Sequence, residues 1–170
     1  MSEGIFDVLI AEPDLEFGKA LEKKILGFEN IRVHRFQRPN FADDFIWGSI
    51  SRDTKSAAVS HEKSLIMISE YRFPEAQSAG MDLACQLRSA QKNAFIWLYS
   101  NEFEGTLSEG SPSYEASRYL REKKINGYCT KQENEMERML KELQRQISLY
   151  SSKSRARTGA TRKLPPIEKH

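Results

Sequence analysis

The chain has 170 residues, of which 39% are hydrophobic and 29% charged, with a formal net charge of +2. That length suits one domain plus an extension, and no apolar run reaches the ~20 residues that a membrane-crossing helix needs. A mean hydropathy of −0.62 and an N-terminus lacking the basic start and cleavage site of a secretory signal point to a cytoplasmic protein, with Cys85 and Cys129 as buried free thiols rather than a disulfide.

The charge is unevenly placed. Residues 151–170 carry six basic residues against Glu168 alone, so this stretch is +5 and residues 1–150 are −3. The stretch has almost no large apolar residues and is expected to be disordered.

In chain order, "FDVLIAEPD" opens on an apolar run, Val8 to Ala11, which reads as a buried strand. Phe17, Leu21, Ile25 and Phe28 then recur at helical spacing, with Asp14 placed to cap the helix start. "NIRVHRF" is a second strand with an incomplete apolar face, since Arg35 falls where Ile31 and Val33 lead. "NFADDFIWGSI" gives a short amphipathic helix on Phe41, Phe45, Ile46 and Ile50, and the polar stretch 51–63 reads as a loop.

Leu65 to Ile68 is the most apolar strand, and it ends at Ser69 and Glu70. Met81, Ala84, Cys85 and Leu87 share a helical face; "AFIWLYS" is a fourth strand; "NEFEGTLSEGSP" is a long loop. Ser111 before Pro112 starts another helix, and "INGYCTK" is a short fifth strand. The last helix carries Met136, Met139, Leu140, Leu143, Ile147 and Tyr150 as a stripe, with Asn134 and Glu137 spaced as a capping box. Five strand–helix pairs in this order argue a parallel sheet covered by helices on both faces.

Four stretches, taken in order, carry a resemblance. "VLIAEPD", "GMDLACQLR", "INGYCTK" and "NEMERMLKEL" resemble the first acidic pocket, the third helix, the fifth-strand ending and the fifth helix of the receiver domain of bacterial response regulators, the CheY-like family. The resemblance spans roughly residues 6–150. It implies a flavodoxin-like (βα)5 doubly wound sandwich with a five-stranded parallel sheet, and a domain division into residues 1–150 and a basic tail, 151–170.

A working receiver, by that resemblance, needs an Asp acceptor after the third strand, an acidic pair that binds Mg²⁺, a hydroxyl after the fourth strand and a Lys after the fifth. This chain keeps Lys131 and one pocket acid, Glu12; Pro13 stands beside it, and Asp14 is better placed as a helix cap. The acceptor falls on Glu70, counted back from Pro74, or on Ser69, counted from the apolar run. Ser100 fills the hydroxyl position, or Tyr99 with a shift of one residue. A Ser lacks an activating base here, and the extra methylene of Glu displaces its oxygen from an in-line approach. The pattern is therefore that of a degenerate pseudo-receiver, with no catalytic activity, metal or cofactor expected. Lys131 would pair with Glu12 or Glu70 in place of metal and phosphate.

The resemblance further implies that the fourth helix, fifth strand and fifth helix meet a signalling partner or a second copy, with Tyr114, Arg118 and Tyr128 on that surface. No output domain is expected after Tyr150, so the chain reads as a stand-alone module. Two alternatives stand beside this reading: a phosphorylatable response regulator with a non-standard acceptor, and an adaptor that binds nucleic acid or an anionic surface through the tail. His34, His61 and His170 have no metal-ligand spacing. No glycine-rich phosphate loop occurs in the sequence.

Overall fold

The computed structural model describes residues 6–55, 65–76, 79–105 and 107–160. The elements alternate throughout: β1 (Phe6–Ala11), α1 (Leu15–Ile25), β2 (Ile31–Phe36), α2 (Pro39–Lys55), β3 (Ile66–Glu70), α3 (Ala79–Ala90), β4 (Phe95–Tyr99), α4 (Pro112–Arg121), β5 (Gly127–Cys129) and α5 (Glu133–Ala160). The strands form one parallel sheet in the order β2-β1-β3-β4-β5, which is the (βα)5 doubly wound architecture.

Period-two alternation divides the strand residues between two cores. Val8, Ile10, Ile66, Ile68, Phe95, Trp97 and Tyr99 face α1 and α5, and meet Leu21, Ile25, Met136, Met139, Leu143 and Ile147. Leu9, Ala11, Met67, Ile96 and Leu98 face α2, α3 and α4. The central strands β3 and β4 are buried on both faces, as parallel strands between helix layers must be.

The local start signals act as the sequence leads one to expect at two helices. The Asp14 carboxylate accepts from Phe17 N–H at 2.9 Å, and the Ser111 hydroxyl caps α4 ahead of Pro112. At α5 the cap differs. Thr130 and Glu135 take the role expected of Asn134 and Glu137: Glu135 Oε2 accepts from both Thr130 N and Thr130 Oγ1 at 2.6 Å. The hydroxyl of Thr130 in turn accepts from Gln132 N–H at 3.3 Å.

Several expected boundaries move. β3 takes in Ser69 and Glu70, because both still pair with β4, opposite Leu98 and Tyr99. α2 runs to Lys55, past the end of its apolar pattern; residues 56–64 lie outside the described residues. It buries Ala42 and Ile46, while Phe41 is exposed. Cys85 is half-buried rather than buried, and Cys129 is buried; both are free. α5 continues to Ala160, so the first ten residues of the stretch expected to be disordered are helical, and residues 161–170 lie outside the described residues.

Candidate functional site

The sheet register assembles one charged pocket at the C-terminal ends of the central strands, where open α/β sheets place their ligand sites. Ala11 pairs with Ser69, and Glu70 pairs with Tyr99. Glu12 follows Ala11, so Glu12, Glu70 and Tyr99 all end the strand faces that look toward α1 and α5. Ser69 has the opposite parity. Its hydroxyl donates to the Glu70 carbonyl at 2.9 Å and is fully buried.

Lys131 reaches into this pocket from the segment between β5 and α5. Its Nζ lies 2.7 Å from Glu70 Oε2 and 3.3 Å from Glu12 Oε2. The Phe17 and Tyr99 rings sit around the same ammonium, with centroids at 4.5 and 5.6 Å, in cation–π range. Of the two alternatives the sequence leaves open, Glu70 is thus the residue that faces Lys131.

The two carboxylates differ in support. Glu70 Oε1 accepts from the backbone N–H groups of Tyr71 and Arg72, at 3.0 and 3.3 Å, while its other oxygen holds the lysine. Glu12 is fully buried; its Oε1 accepts from Asp14 N–H at 2.8 Å. Burial pushes the Glu12 carboxyl above its ordinary range, against the pull of Asp14 N–H and of the Lys131 charge. Burial likewise holds the Tyr99 phenol well above its usual value, with the nearby Glu12 and Glu70 charges acting in the same direction. The Lys131 ammonium is held above its ordinary value: burial opposes this, and the neighbouring Glu70 and Glu12 carboxylates outweigh it.

The remaining expected site residues fall nearby without joining the ion cluster. Asp14 is exposed and committed to capping α1. Ser100 is buried and starts the 3-10 turn Asn101–Glu104 by accepting from Glu102 N–H at 3.3 Å. That turn belongs to the stretch expected to be loop. It is tied back by Arg72–Glu102 at 2.9 Å and by Gln132–Glu104 at 2.9 Å.

The Mg²⁺ implied by the resemblance does not fit these residues. Octahedral Mg²⁺ takes carboxylate, carbonyl and water oxygens. Here Pro13 offers no side-chain ligand, Asp14 is turned into a helix cap, and an ammonium already bridges the two remaining carboxylates. Among the described residues, no group of three or more His, Cys, Asp or Glu could hold a metal ion.

Sequence reasoning did not single out Phe17 and Tyr71 as parts of this region, and it offered Tyr99 only as the alternative to Ser100 at the hydroxyl position. Strand parity was the available signal for Tyr99, since it continues the Phe95–Trp97 face. Tyr71 has a cross-element role: its hydroxyl donates to Glu115 Oε2 at 2.8 Å and its ring packs on Phe103, 5.3 Å between centroids. Phe103 in turn meets Tyr128 edge-on at 5.4 Å. Tyr128 and Leu120 line a groove of about 430 Å³ over β5 between α4 and α5. Arg118 is exposed on α4 beside the Tyr119 ring, and Tyr114 is half-buried on the same helix.

No family model matches the sequence, and no curated protein does. Solved structures do match. The chemotaxis response regulator CheY4 of Vibrio cholerae is 17% identical and aligns over 83% of this chain and 98% of its own, with a TM-score of 0.53. A CheY-like response regulator receiver domain protein from Methanospirillum hungatei is 12% identical over 88% of this chain and 99% of its own, with a TM-score of 0.60. An adenylate cyclase from Rhodopirellula baltica is 12% identical over 91% and 98%, with a TM-score of 0.57. At such identities the likeness is one of fold, and fold alone does not fix activity.

Proposed function

We propose that this chain, which has the CheY-like receiver fold, acts in signal transduction as a pseudo-receiver, through contact with other proteins and without phosphoryl transfer. The observation that carries this reading is the Glu12–Lys131–Glu70 cluster. In the place where the resemblance sets an acceptor Asp, a metal pair and a Lys, one ammonium joins two buried glutamates. Such a pocket already holds a cation between its two carboxylates. A phosphoryl group arriving beside Glu70 and Glu12 would bring further negative charge with no metal to offset it.

The partner surface is the groove over β5, where Tyr128 and Leu120 supply apolar area and Arg138 a charge. A half-buried aromatic, Tyr128, with an exposed arginine, Arg138, around a concave surface fits the composition of protein contact sites. Among the described residues no helix is long and apolar enough to cross a membrane.

The test is backbone NMR of the whole chain with Mg²⁺, before and after beryllofluoride or acetyl phosphate. The proposal expects no shifts beyond those of Mg²⁺ and salt alone. Shifts concentrated at Glu12, Glu70, Ser100 and Lys131 would overturn it and favour a phosphorylatable regulator with a glutamate acceptor.

A further inference from the structure

The two edges of the sheet differ. β5 is three residues long, a short edge that offers little to a further strand. β2, at the other edge, is six residues long, as is β1 beside it, and the two pair without a bulge from Phe6 opposite Ile31 to Ala11 opposite Phe36. The outer backbone of β2 is open. Phe6 N–H donates to the Asn30 carbonyl at 2.8 Å, and Glu12 N–H to the Phe36 carbonyl at 2.9 Å. In a parallel ladder the N–H and C=O of one residue point to one side and those of the next residue to the other. Arg32 and His34 share the inward phase of Phe36. Ile31, Val33 and Arg35 therefore turn their N–H and C=O groups outward, where no strand lies among the described residues.

Long edges are usually blunted by charges that project across them. On β2 the charges are drawn back over the faces of the sheet instead. Arg32 Nε and Nη2 donate to Asp7 at 2.7 and 3.1 Å on the α2 side, and Arg35 Nε donates to Glu22 of α1 at 2.9 Å on the other side. What remains at the edge is apolar and basic. Ile31 and Val33 are half-buried on the α1 side. On the α2 side the Phe45 ring lies 4.3 Å from that of His34 and 5.5 Å from that of Phe36, centroid to centroid. Phe41, one turn earlier on the same side of α2, is 51% exposed. No acid occurs from Ile31 to Arg38, and Arg38 is exposed with no ion-pair partner among the described residues.

We propose that the outer edge of β2 binds an extended acidic segment of a partner protein, which joins the sheet as a further strand. Strand addition takes its affinity from main-chain hydrogen bonds and its selectivity from alternate side chains. The outward groups of Ile31, Val33 and Arg35 supply the main-chain bonds. Side chains of the segment on the α1 side meet Ile31 and Val33 and are apolar. Those on the α2 side meet the phenylalanine rings at the middle and carry carboxylates at the ends, toward Arg32 and Arg38. Charge selects the sign: an incoming acid meets cations and no like charge on the strand, whereas an incoming base meets Arg32, Arg35 and Arg38 while Asp7 and Glu22 are already engaged. This surface lies at the opposite edge of the sheet from the groove over β5. It is independent of whether the charged pocket accepts a phosphoryl group.

Amide exchange and backbone NMR of the full chain test this, with the capped peptide Glu-Val-Glu-Val-Phe-Val-Glu-Val-Glu, which reads the same in both directions. In the free chain the amides of Ile31, Val33 and Arg35 should exchange quickly and those of Arg32, His34 and Phe36 slowly. Adding the peptide should slow exchange at Ile31, Val33 and Arg35 and shift their resonances. The same residues in blocks, Glu-Glu-Glu-Glu-Phe-Val-Val-Val-Val, and the alternating peptide with Lys in place of Glu should do neither. Val33→Pro removes the central outward N–H, which the fold does not use, and should abolish binding with unchanged circular dichroism. Where that variant does not fold, Arg32→Gln with Arg38→Gln decides: binding should weaken roughly tenfold. Slow exchange at Val33 and Arg35 in the free chain overturns the proposal, and slowing that grows with protein concentration alone assigns the edge to a second copy and overturns it too. So do peptide shifts confined to residues outside β2 and α2, a block or lysine peptide that binds as well, a folded Val33→Pro chain that binds as the wild type does, and arginine variants that bind unchanged.

Discussion

Lys131 Nζ lies 2.7 Å from Glu70 Oε2, and this single pair joins the end of β3 to the segment between β5 and α5. The carboxylate side chain is 7% exposed and that of the lysine 18%. Glu12, fully buried, shares the same ammonium. Removing the lysine would leave two carboxylates facing each other out of water, and breaking a buried pair on one side costs far more than the pair contributes. Lys131→Met should therefore lower the stability by about 3 kcal/mol, read from urea unfolding at neutral pH. Adding Glu12→Gln to Lys131→Met should recover part of the loss. An unchanged midpoint in the single variant would mean that the pocket is solvated and the ion pair incidental.

The pocket also sets the sign of one pH dependence. Glu12 is raised above 4.5 in the folded chain, chiefly by burial. A carboxyl raised on folding holds its proton more tightly in the native state. Its stabilising contribution is complete below the unfolded value and is lost as the pH rises through the folded value. Asp7 has the opposite sign: its hydrogen bonds and charge contacts with Arg32 and His34 outweigh burial and lower it below 3.8, so its contribution is lost on acidification. The difference between wild type and Glu12→Gln isolates the first effect, because both proteins keep Asp7. Wild-type stability should fall relative to the variant as the pH is raised above about 4.5. Parallel urea midpoints across that range would show that Glu12 titrates as an ordinary carboxyl.

Much of the fold was legible because it rests on local rules. The run Val8 to Ala11, the stripe from Met136 to Ile147 and the Asp14 and Ser111 caps depend on neighbours in sequence, and each lies where its pattern puts it. The boundaries that moved depend on neighbours in space. Ser69 and Glu70 read as polar residues after a strand, yet β4 extends the ladder over them. The cap of α5 moved because Thr130, at the strand end, reaches the helix before Asn134 does. For the site, the sequence names Glu12, Glu70 and Lys131 but not their geometry. Which of Ser69 and Glu70 faces Lys131 depends on strand parity and register, which appear only in the paired sheet. Phe17 read as a core residue of α1, and its second role over the ammonium had no sequence signal.

A smaller effect should follow from the α1 cap. Asp14 is exposed and its carboxylate satisfies Phe17 N–H, while its own N–H donates to Glu12. Asp14→Ala removes the side-chain bond alone and should cost about 1 kcal/mol. Asp14→Asn should cost only a fraction of that, because the amide oxygen still accepts. If Asp14 instead held a metal, the two variants would be equally impaired, and millimolar Mg²⁺ would stabilise the wild type against heat but neither variant. The cap reading expects the same small response to Mg²⁺ in all three proteins.

Gly80 gives the sharpest steric prediction. It lies at the start of α3, and its N–H donates to the Tyr71 carbonyl at 3.1 Å. A methyl group there would overlap the Glu70 carbonyl oxygen and come within 2.8 Å of Tyr71 Cα, both backbone atoms that no rotamer change can move. Gly80→Ala must push α3 away from the very strand end that presents Glu70 to Lys131. The expected cost is about 3 kcal/mol, the upper end for overpacking, with amide shifts at Glu70, Tyr71 and Lys131. Gly48, within α2, has nothing within 4 Å of an added methyl. Gly48→Ala should stabilise the chain by up to about 1 kcal/mol through helix propensity. A Gly80→Ala variant as stable as wild type, with Lys131 amide shifts unchanged, would show that α3 does not brace the pocket.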